Sequence, residues 1–269
     1  MTYKTLLKQA QEYFSNAATA EYVIQSLTNK KRYELYTDNS PVSEEFVLKF
    51  HNLLSGLNTA MPVQYLLHKA YFLSCELYVD ERVMIPRFET EDLIMKTANK
   101  LRAQSPAPKA ILDIGTGSGA IVIALADLFT QAKIIATDIS ADALEVARIN
   151  LKKYDFDARI KLCPVDLFPV TNDKFDLIIS NPPYIPHDEI ESLSPRVKNY
   201  EPRVALDGGK DGLEIIERII KQAPSYLSQE GLVALEIDPR QVDLIKDLSL
   251  NAQFEKDNQG LIRYAFIKF

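Results

Sequence analysis

The feature that most constrains the fold is a regular alternation of apolar runs and amphipathic segments from about residue 110 onward. The apolar runs, rich in β-branched residues, are AILDIG, AKIIATDIS, ARIKLCPVDLF, FDLIISNPPY and GLVALEI. Segments with helical spacing lie between most of them, such as GAIVIALADLF and ADALEVARINLKKY. Alternating strands and helices predict a doubly wound, mostly parallel sheet, and strands that are apolar on both sides indicate helices on both faces.

The last segment, FEKDNQGLIRYAFIKF, predicts two further strands. The four residues DNQG between them are too few for the crossover that parallel neighbours require, so we expect the last strand to be antiparallel. The predicted fold class is therefore α/β, with a doubly wound, mostly parallel seven-stranded sheet.

Residues 1 to about 60 show helical spacing instead of alternation. In SEEFVLKFHNLLSGL, Ser43 is the expected N-cap, and two acidic residues follow in the first turn. Because residues 1–74 contain no glycine-rich loop and no acid–base cluster, we interpret them as a small helical bundle that binds a substrate. Aromatic and β-branched residues in AYFLSCELYVDERV predict a β-hairpin. We place a hairpin linker at 75–86 and the catalytic domain at 87–269.

Composition narrows the function classes. The net charge is −6, whereas a protein that binds nucleic acid usually carries a basic stripe, so direct nucleic-acid binding is not expected. No apolar run approaches the roughly 18 residues that span a bilayer, and the first residues lack the features of a signal peptide. We therefore expect a cytoplasmic protein without membrane contact. Two isolated cysteines and three scattered histidines predict neither a disulfide framework nor a metal site.

The segment LDIGTGSGAI places Gly115, Gly117 and Gly119 between a predicted strand and a predicted helix. Glycine allows a tight turn and a close approach of a ligand to the backbone. The third glycine comes one residue earlier than in the dinucleotide fingerprint G-x-G-x-x-G. This spacing suits S-adenosylmethionine, which has no pyrophosphate to place at the helix N-terminus. We predict that the loop, including Thr116 and Ser118, binds this cofactor; a dinucleotide and a purely structural turn are the alternatives.

Two acidic residues end later strands at the same predicted edge of the sheet. Asp138 follows IIAT, where a carboxylate accepts hydrogen bonds from both hydroxyl groups of a ribose. Asp166 in CPVDLF ends the next strand, where it or a neighbouring backbone amide would contact an adenine edge. Leu167 or Phe168 would then pack on the adenine ring.

The run Asn181-Pro182-Pro183-Tyr184 follows the predicted strand FDLIIS. Ligands of open α/β sheets bind at the carboxyl ends of strands, so we expect Asn181 in the same crevice as the glycine loop. The two prolines fix the backbone and lack N–H groups, which leaves the carbonyl groups of Asn181 and Pro182 as rigidly held acceptors. A proline-stiffened loop without a function is the alternative.

Such acceptors match a planar amino group, whether an amide or an exocyclic aromatic amine. The Asn181 side-chain oxygen and the Pro182 carbonyl would bind its two hydrogens, orient the nitrogen toward a methyl donor and stabilise the developing positive charge. Tyr184 would stack on the flat group. We therefore assign catalysis to Asn181, Pro182 and Tyr184, and substrate binding to these three with Pro183.

In order and spacing, DIGTGSGAI, ATDIS, VDLF and SNPPYI resemble the class I S-adenosylmethionine-dependent methyltransferases that modify planar nitrogens. The segments IPRFETE, YEPRVALDGGKDGL and LEI further resemble the release factor glutamine methyltransferases, the PrmC/HemK family, over nearly the whole chain. The resemblance implies a Rossmann-like methyltransferase domain. It also implies methylation of the side-chain nitrogen (N5) of the glutamine in the Gly-Gly-Gln motif of bacterial class 1 release factors. S-Adenosyl-L-homocysteine would be the product, and no metal is implied.

Matched position by position, the resemblance assigns Gly115–Gly119 and Asp138 to the cofactor, and Asp166 and Leu167 to the adenine side. Asn181 would lie near both the methyl donor and the glutamine amide. The N-terminal domain would help to bind the release factor.

Two residues depart from the family pattern. His68 stands where many members have glycine, and Leu167 replaces a residue that is aromatic in some members. The segment IPRFETE contains the charged residues Arg87, Glu89 and Glu91. These residues either line the crevice or connect the linker to the catalytic domain.

The main alternative is an adenine-N6 DNA methyltransferase, which uses the same kind of turn on a flipped base. A methyltransferase of another planar nitrogen in RNA is similar. The acidic net charge and the lack of an obvious DNA-reading insertion argue against both. A nicotinamide-dependent oxidoreductase is disfavoured by the glycine spacing, and a non-catalytic cofactor-binding adaptor by the intact Asn-Pro-Pro-Tyr turn.

Overall fold

The computed structural model describes residues 1–14, 16–28, 30–56, 61–103 and 107–269, which form two compact units. One unit comprises Met1–Lys69 and Pro195–Tyr200; the other comprises Ala70–Ser194 and Glu201–Phe269. The predicted domain boundaries at 74 and 86 stay predictions. None of the described helices is both long enough and apolar enough to cross a bilayer.

The helices are numbered in chain order: α1 (Tyr3–Phe14), α2 (Ala17–Thr28), α3 (Arg32–Thr37), α4 (Glu44–Gly56), α5 (Val63–Leu67), α6 (Phe88–Arg102), α7 (Ala120–Leu128), α8 (Ala141–Lys153), α9 (Pro195–Lys198), α10 (Glu214–Gln222) and α11 (Val242–Leu248). The strands are β1 (Ala70–Phe72), β2 (Cys75–Leu77), β3 (Ala110–Ile114), β4 (Lys133–Asp138), β5 (Ile160–Pro164), β6 (Phe175–Ser180), β7 (Leu227–Glu236), β8 (Gln253–Lys256) and β9 (Ile262–Ile267). Short 3₁₀ segments lie at His187–Ser192, Arg203–Ala205, Ala223–Ser225 and Pro239–Gln241.

The first unit is helical, which confirms the predicted N-terminal helical region. Apolar residues spaced along α1 and α2 form a buried core with α3 and α4, in which Phe50 is fully buried. At the start of α4 the Ser43 hydroxyl accepts a hydrogen bond from the N–H of Phe46 at 3.2 Å, as predicted for an N-cap. At the end of α5, His68 has φ 49° and ψ 40°, a left-handed conformation that glycine adopts most readily.

The β-hairpin lies earlier than predicted. Strands β1 and β2 pair antiparallel from Ala70↔Leu77 to Phe72↔Cys75, and residues 78–87, all of them described, contain no strand. A turn interrupts this stretch, because Asp80 accepts hydrogen bonds from the N–H groups of Arg82 and Val83, both at 3.1 Å. The predicted hairpin linker at 75–86 is therefore wrong in position.

The second unit is built on a seven-stranded sheet of order β5-β4-β3-β6-β7-β9-β8. Strands β3 to β7 are parallel, and β9 runs antiparallel to both of its neighbours, β7 and β8. The predicted α/β class, strand number and antiparallel last strand are confirmed. The chain moves outward from β3 to β4 and β5, and then returns to β6 on the other side of β3. This reversal creates a topological switch point between β3 and β6.

Helices cover both faces of the sheet. Along β6, Leu177 and Ile179 join one buried cluster with residues of α6 and α7. Ile178 points to the opposite face and joins a second cluster with residues of α10. This alternation explains why the strand is apolar at successive positions, since both faces are covered.

Candidate active site

The site lies where β3 and β6 end. Ile114 of β3 is in register with Ser180 of β6, and the Ser180 hydroxyl donates a hydrogen bond to the Ile114 carbonyl at 2.6 Å. Gly115 and Asn181 therefore leave neighbouring strands side by side. A cavity of about 510 Å³ opens at this edge. As predicted, the glycine loop and the Asn-Pro-Pro-Tyr turn meet at the switch point of the sheet.

The glycine loop is held by the backbone of β4. The N–H groups of Gly115 and Thr116 donate to the Thr137 carbonyl at 2.8 and 3.0 Å. Gly115, Gly117 and Gly119 have φ values of 71°, 53° and 81°, which only glycine adopts without strain. A Cβ at Gly115 or Gly117 would meet nothing within 4 Å, whereas a Cβ at Gly119 would contact Ala147 of α8 at 3.4 Å. The first two glycines thus form an open cradle, and the third allows α7 and α8 to pack closely.

Asp138 lies beside this cradle. Its Oδ2 accepts a hydrogen bond from the N–H of Gly117, and its Oδ1 accepts one from the N–H of Ser140, both at 2.9 Å. Burial raises the pKa of the Asp138 carboxyl, while the two backbone donors oppose the shift. A carboxylate has about four acceptor positions, so Asp138 keeps acceptor capacity for hydroxyl groups in the cavity.

Asp113 of β3 and Thr116 of the loop have buried side-chain oxygens that make no well-formed hydrogen bond among the described residues. Burial raises the pKa of Asp113 to about 7, the nearby Thr116 hydroxyl opposes this shift, and the charge of Asp138 adds to it. Thr116 lines the cavity, where its hydroxyl would accept a hydrogen bond from a polar ligand or donate one to it.

At the end of β5, Asp166 and Leu167 also line the cavity. Asp166 is about half exposed and forms an ion pair with Arg218 of α10 at 2.6 Å. Leu167 is buried and has φ 64°, and its carbonyl accepts a hydrogen bond from Thr137 Oγ1 at 2.7 Å. Phe168 instead stacks on Tyr226 with ring centroids 4.5 Å apart. Of the two side chains predicted to pack on adenine, the structure brings only Leu167 to the cavity.

Asn181, Pro182 and Pro183 line the other side of the cavity. The Asn181 side-chain nitrogen donates a hydrogen bond to Thr90 Oγ1 at 2.9 Å. Among the described residues, none donates a hydrogen bond to Asn181 Oδ1 or to the carbonyl groups of Asn181 and Pro182. The acceptors predicted from the sequence are therefore available to a ligand.

Tyr184 has a different position from the one predicted. Its hydroxyl donates a hydrogen bond to Glu236 Oε1 at 3.1 Å, and its ring packs against the buried cluster that covers the α10 face of the sheet. The ring is not part of the cavity wall. A stacking contact with the substrate does not fit this placement, because the turn directs the ring into the protein.

Two residues outside the turn, which were not identified from the sequence, form hydrogen bonds with its side chains. Thr90, near the start of α6, donates a hydrogen bond through its hydroxyl to Glu236 Oε2 at 2.7 Å. Glu236 is the last residue of β7 and is 1% exposed. Burial raises its pKa to about 7, although hydrogen bonds from Thr90 and Tyr184 act in the opposite direction.

A glycine-containing loop supports the turn from behind. The N–H of Gly208 donates to the Ile185 carbonyl at 2.9 Å, and the Gln241 side-chain nitrogen donates to the Tyr184 carbonyl at 3.2 Å. A Cβ at Gly208 would lie 2.8 Å from the Pro183 carbonyl oxygen, and one at Gly212 would overlap the Tyr184 carbonyl. The glycines in VALDGGKDGL therefore allow two backbone segments to approach each other.

The charged residues of IPRFETE lie outside the cavity wall. Arg87 forms an ion pair with the buried Glu201, and Glu91 accepts a hydrogen bond from the N–H of Leu73 in the hairpin turn at 2.7 Å. The Glu89 carbonyl accepts one from the Tyr264 hydroxyl at 3.0 Å. These contacts favour the second role considered for Arg87, Glu89 and Glu91: they attach the segment IPRFETE to neighbouring parts of the structure and do not line the cavity.

Two family models match the chain: a PrmC N-terminal domain over residues 3–67, and a methyltransferase domain over residues 107–266. A release factor glutamine methyltransferase from Geobacter sulfurreducens is 34% identical over 227 residues, which cover 84% of this chain and 78% of that protein. The chain belongs to the release factor glutamine methyltransferase family. This match favours a protein glutamine methyltransferase over a DNA adenine methyltransferase.

Two other similarities are informative. A ribosomal protein uL3 glutamine methyltransferase from Francisella tularensis subsp. tularensis is 39% identical over 186 residues, which cover 69% of this chain and 59% of that protein. The solved structure of the T. thermophilus 16S rRNA N2 G1207 methyltransferase, in complex with AdoMet and guanosine, has a TM-score of 0.54 at 16% identity. The superposition covers 74% of this chain and 49% of the T. thermophilus chain. At this level of identity the similarity supports only the shared Rossmann-like methyltransferase fold.

Family membership implies the use of S-adenosylmethionine, and the site of this methyltransferase fits such a ligand. The open cradle at Gly115 and Gly117, the acceptor capacity of Asp138 and the Thr116 hydroxyl all face or border one cavity. The predicted cofactor residue Gly119 is not part of the cavity wall. Among the described residues, no group of three His, Cys, Asp or Glu is arranged to hold a metal ion.

Proposed function

We propose that this protein transfers a methyl group from S-adenosylmethionine to the side-chain nitrogen (N5) of the glutamine in the Gly-Gly-Gln motif of class 1 release factors. The observation that carries the proposal is the pair of unengaged acceptors, Asn181 Oδ1 and the Pro182 carbonyl, beside the glycine cradle. A primary amide has two N–H donors, which match two acceptors. We also propose that the protein acts in the cytoplasm, where it meets release factors without binding nucleic acid directly.

On the cofactor side, Gly115 and Gly117 would let the ligand approach the backbone, and Asp138 would accept hydrogen bonds from the ribose hydroxyl groups. Asp166 and Leu167 would border the adenine. When bound, S-adenosylmethionine supplies an electrophilic methyl group. No metal takes part in this proposal.

On the substrate side, Asn181 Oδ1 and the Pro182 carbonyl would each accept one amide hydrogen. This would orient the otherwise poorly nucleophilic nitrogen and stabilise the positive charge that develops on it. One such preorganised contact is worth roughly 2.7–4 kcal/mol, and the positioning of two reactants roughly 7–11 kcal/mol. An asparagine at this place suits hydrogen bonding rather than proton abstraction, because a neutral amide is a very weak base.

The prolines and Tyr184 would act by holding the acceptors. Pro182 and Pro183 fix the backbone direction, and Tyr184 anchors the end of the turn on the buried Glu236. We therefore propose a positioning role for Tyr184 instead of a stacking contact. The match of residues 3–67 to the PrmC N-terminal domain supports a role of the first unit in binding the release factor.

Ribosomal protein uL3 is the second candidate substrate, because one similar protein is a uL3 glutamine methyltransferase. The chemistry at the cavity would be the same for both, since each presents a glutamine amide. The test is incubation with labelled S-adenosylmethionine and either a release factor or uL3, each with its target glutamine intact or replaced by alanine. We expect label on the release factor that carries glutamine. Equal label on the glutamine and alanine forms, or label on uL3 alone, would contradict the proposed substrate.

A further inference from the structure

The hydrogen-bond chain behind the Asn-Pro-Pro-Tyr turn has a direction. An asparagine amide presents either an oxygen or an NH₂ group to a ligand, and the two ends have almost the same shape. Only the oxygen can accept a hydrogen from a substrate amide. The direction of the Asn181 side chain therefore decides whether the cavity offers an acceptor or a donor.

Thr90 is the residue that sets this direction. Its hydroxyl carries one hydrogen, which it donates to Glu236 Oε2 at 2.7 Å. Its lone pairs are then left for Asn181, whose NH₂ group donates to it at 2.9 Å. With the NH₂ group turned toward Thr90, the Asn181 oxygen is directed to the substrate side.

Glu236 fixes the direction of the Thr90 hydroxyl. An ionised carboxylate only accepts hydrogen bonds, and this one receives both the Thr90 and the Tyr184 hydroxyl hydrogens. Thr90 borders the cavity but is only 4% exposed, and Glu236 is 1% exposed, so water has little access to the bond between them. The three linked residues come from α6, β7 and the turn, which makes the chain of bonds a property of the fold and not of the local motif.

We propose that Thr90, oriented by Glu236, positions the Asn181 amide with its oxygen toward the substrate nitrogen, so that both are positioning residues for methyl transfer. The inference rests on the proposed function of Asn181 as an acceptor. Neither residue needs to touch the substrate, since each acts through Asn181.

The pH dependence follows from the charge of Glu236. Groups that face its carboxyl are Glu89 and Thr90 from α6, Tyr184 from the turn, and Arg263 and Tyr264 from β9. A protonated Glu236 would be able to donate a hydrogen to Thr90, which would free the Thr90 hydroxyl to donate to Asn181 and favour the reversed amide. Because burial raises the pKa of Glu236 to about 7, we expect kcat to fall as the pH decreases through this value.

The variants are Thr90→Val, which removes the hydroxyl at constant shape, and Thr90→Ser, which keeps it. The matched control is Thr97→Val on the same helix, because Thr97 is fully buried and donates only to the Leu93 carbonyl at 2.7 Å. We expect Thr90→Val to lower kcat by about 100-fold, as when a reactant is misplaced, with unchanged affinity for S-adenosylmethionine. Thr90→Ser should keep most of the turnover. Wild-type kcat in Thr90→Val, or an equal loss in Thr97→Val, would overturn the inference.

Glu236→Gln tests the hydrogen bond between Glu236 and Thr90. A neutral amide no longer enforces the direction of the Thr90 hydroxyl, so kcat should fall and lose the wild-type decrease below about pH 7. Survival of that decrease in Glu236→Gln would refute the role of Glu236.

A readout without substrate separates this inference from the proposed function. The NMR signals of the Asn181 side-chain NH₂ group, assigned by their loss in Asn181→Ala, should shift in Thr90→Val but not in Thr97→Val. If they shift as expected while no release factor is labelled, the substrate assignment fails and the positioning role stands. Unshifted signals in an enzyme that labels release factors would sink the positioning role alone.

Discussion

The two sides of the cavity are constructed in different ways. On the cofactor side, the glycine cradle and Asp138 lie within 24 consecutive residues, Gly115 to Asp138, and the cradle is held mainly through the backbone; Asp166 and Leu167 follow at the end of the next strand. On the substrate side, Asn181 depends on Thr90, 91 residues away along the chain, and Thr90 depends on Glu236, 146 residues away. The backbone geometry of the cradle is therefore encoded locally, whereas the direction of the Asn181 amide needs contacts from distant parts of the domain.

The largest expected effect comes from Asn181→Ala. Loss of one preorganised contact to the developing charge should lower kcat by about 10²–10³-fold. Affinity for S-adenosylmethionine, measured by calorimetry, should change little, since the cradle and Asp138 remain. Strongly weakened cofactor binding with an unchanged kcat would show that Asn181 acts in cofactor binding and not in catalysis on the substrate.

Gly212→Ala should affect the substrate side through the loop behind the turn. At φ 70° an alanine is strained by roughly 1–2 kcal/mol, and overlap of its Cβ with the Tyr184 carbonyl adds roughly 1–3 kcal/mol. The expected loss in the free energy of unfolding is about 3 kcal/mol, measured by urea unfolding with circular dichroism.

Gly260→Ala is the matched control for Gly212→Ala. Gly260 has φ 87°, and an added Cβ would meet nothing within 4 Å, so only the strain of roughly 1–2 kcal/mol should remain. Equal losses in the two variants would mean that contact between the loop and the turn is unimportant.

Asp138→Asn should act on the cofactor side alone. The substitution replaces the charged acceptor proposed for the ribose hydroxyl groups with a neutral amide, and a hydrogen bond to a charged group is worth about 2 kcal/mol. The Kd for S-adenosylmethionine should increase by about 30-fold, and kcat at saturating cofactor should stay close to that of the wild type. A lowered kcat with an unaltered Kd would contradict a role of Asp138 in cofactor binding.

The smallest effect is expected for Arg218→Ala, which breaks the ion pair with Asp166. Both side chains are almost half exposed, and exposed pairs contribute roughly 0–1 kcal/mol. The Kd for S-adenosylmethionine should therefore change by less than about fivefold. Because Arg218 also lines the cavity, a larger change, measured by the same calorimetry, would show that it contributes to cofactor binding beyond its ion pair with Asp166.

The contrast between local and long-range contacts explains which residues of the site can be predicted from the sequence. Gly115 and Asn181 were predicted at one sheet edge because both follow apolar strands, and strand ends meet in a parallel sheet. Thr90 was missed because helical spacing does not tell which side of α6 meets β7. Tyr184 was predicted on the wrong side, since the direction of a ring after two prolines depends on what packs beneath it.

The hairpin was misplaced for another physical reason. The segment 78–85 is rich in aromatic and β-branched residues, and Val79 and Val83 are buried. A segment that packs into a core without regular structure has the same composition as a strand. The Asp80 turn, which depends on side-chain hydrogen bonds, separates the two cases.

The register between Ile114 and Ser180 has a consequence for how such a chain tolerates insertions and deletions. The spacing between the glycine loop and Asn181 is fixed by a hydrogen-bonded ladder in which each residue advances about 3.3 Å and reverses the side-chain direction. Many substitutions in β3 or β6 that keep the size of the side chain would preserve this spacing. Insertion or loss of a single residue in either strand would displace one reactant relative to the other by a distance longer than a hydrogen bond. Length changes should therefore accumulate in the loops at the opposite edge of the sheet.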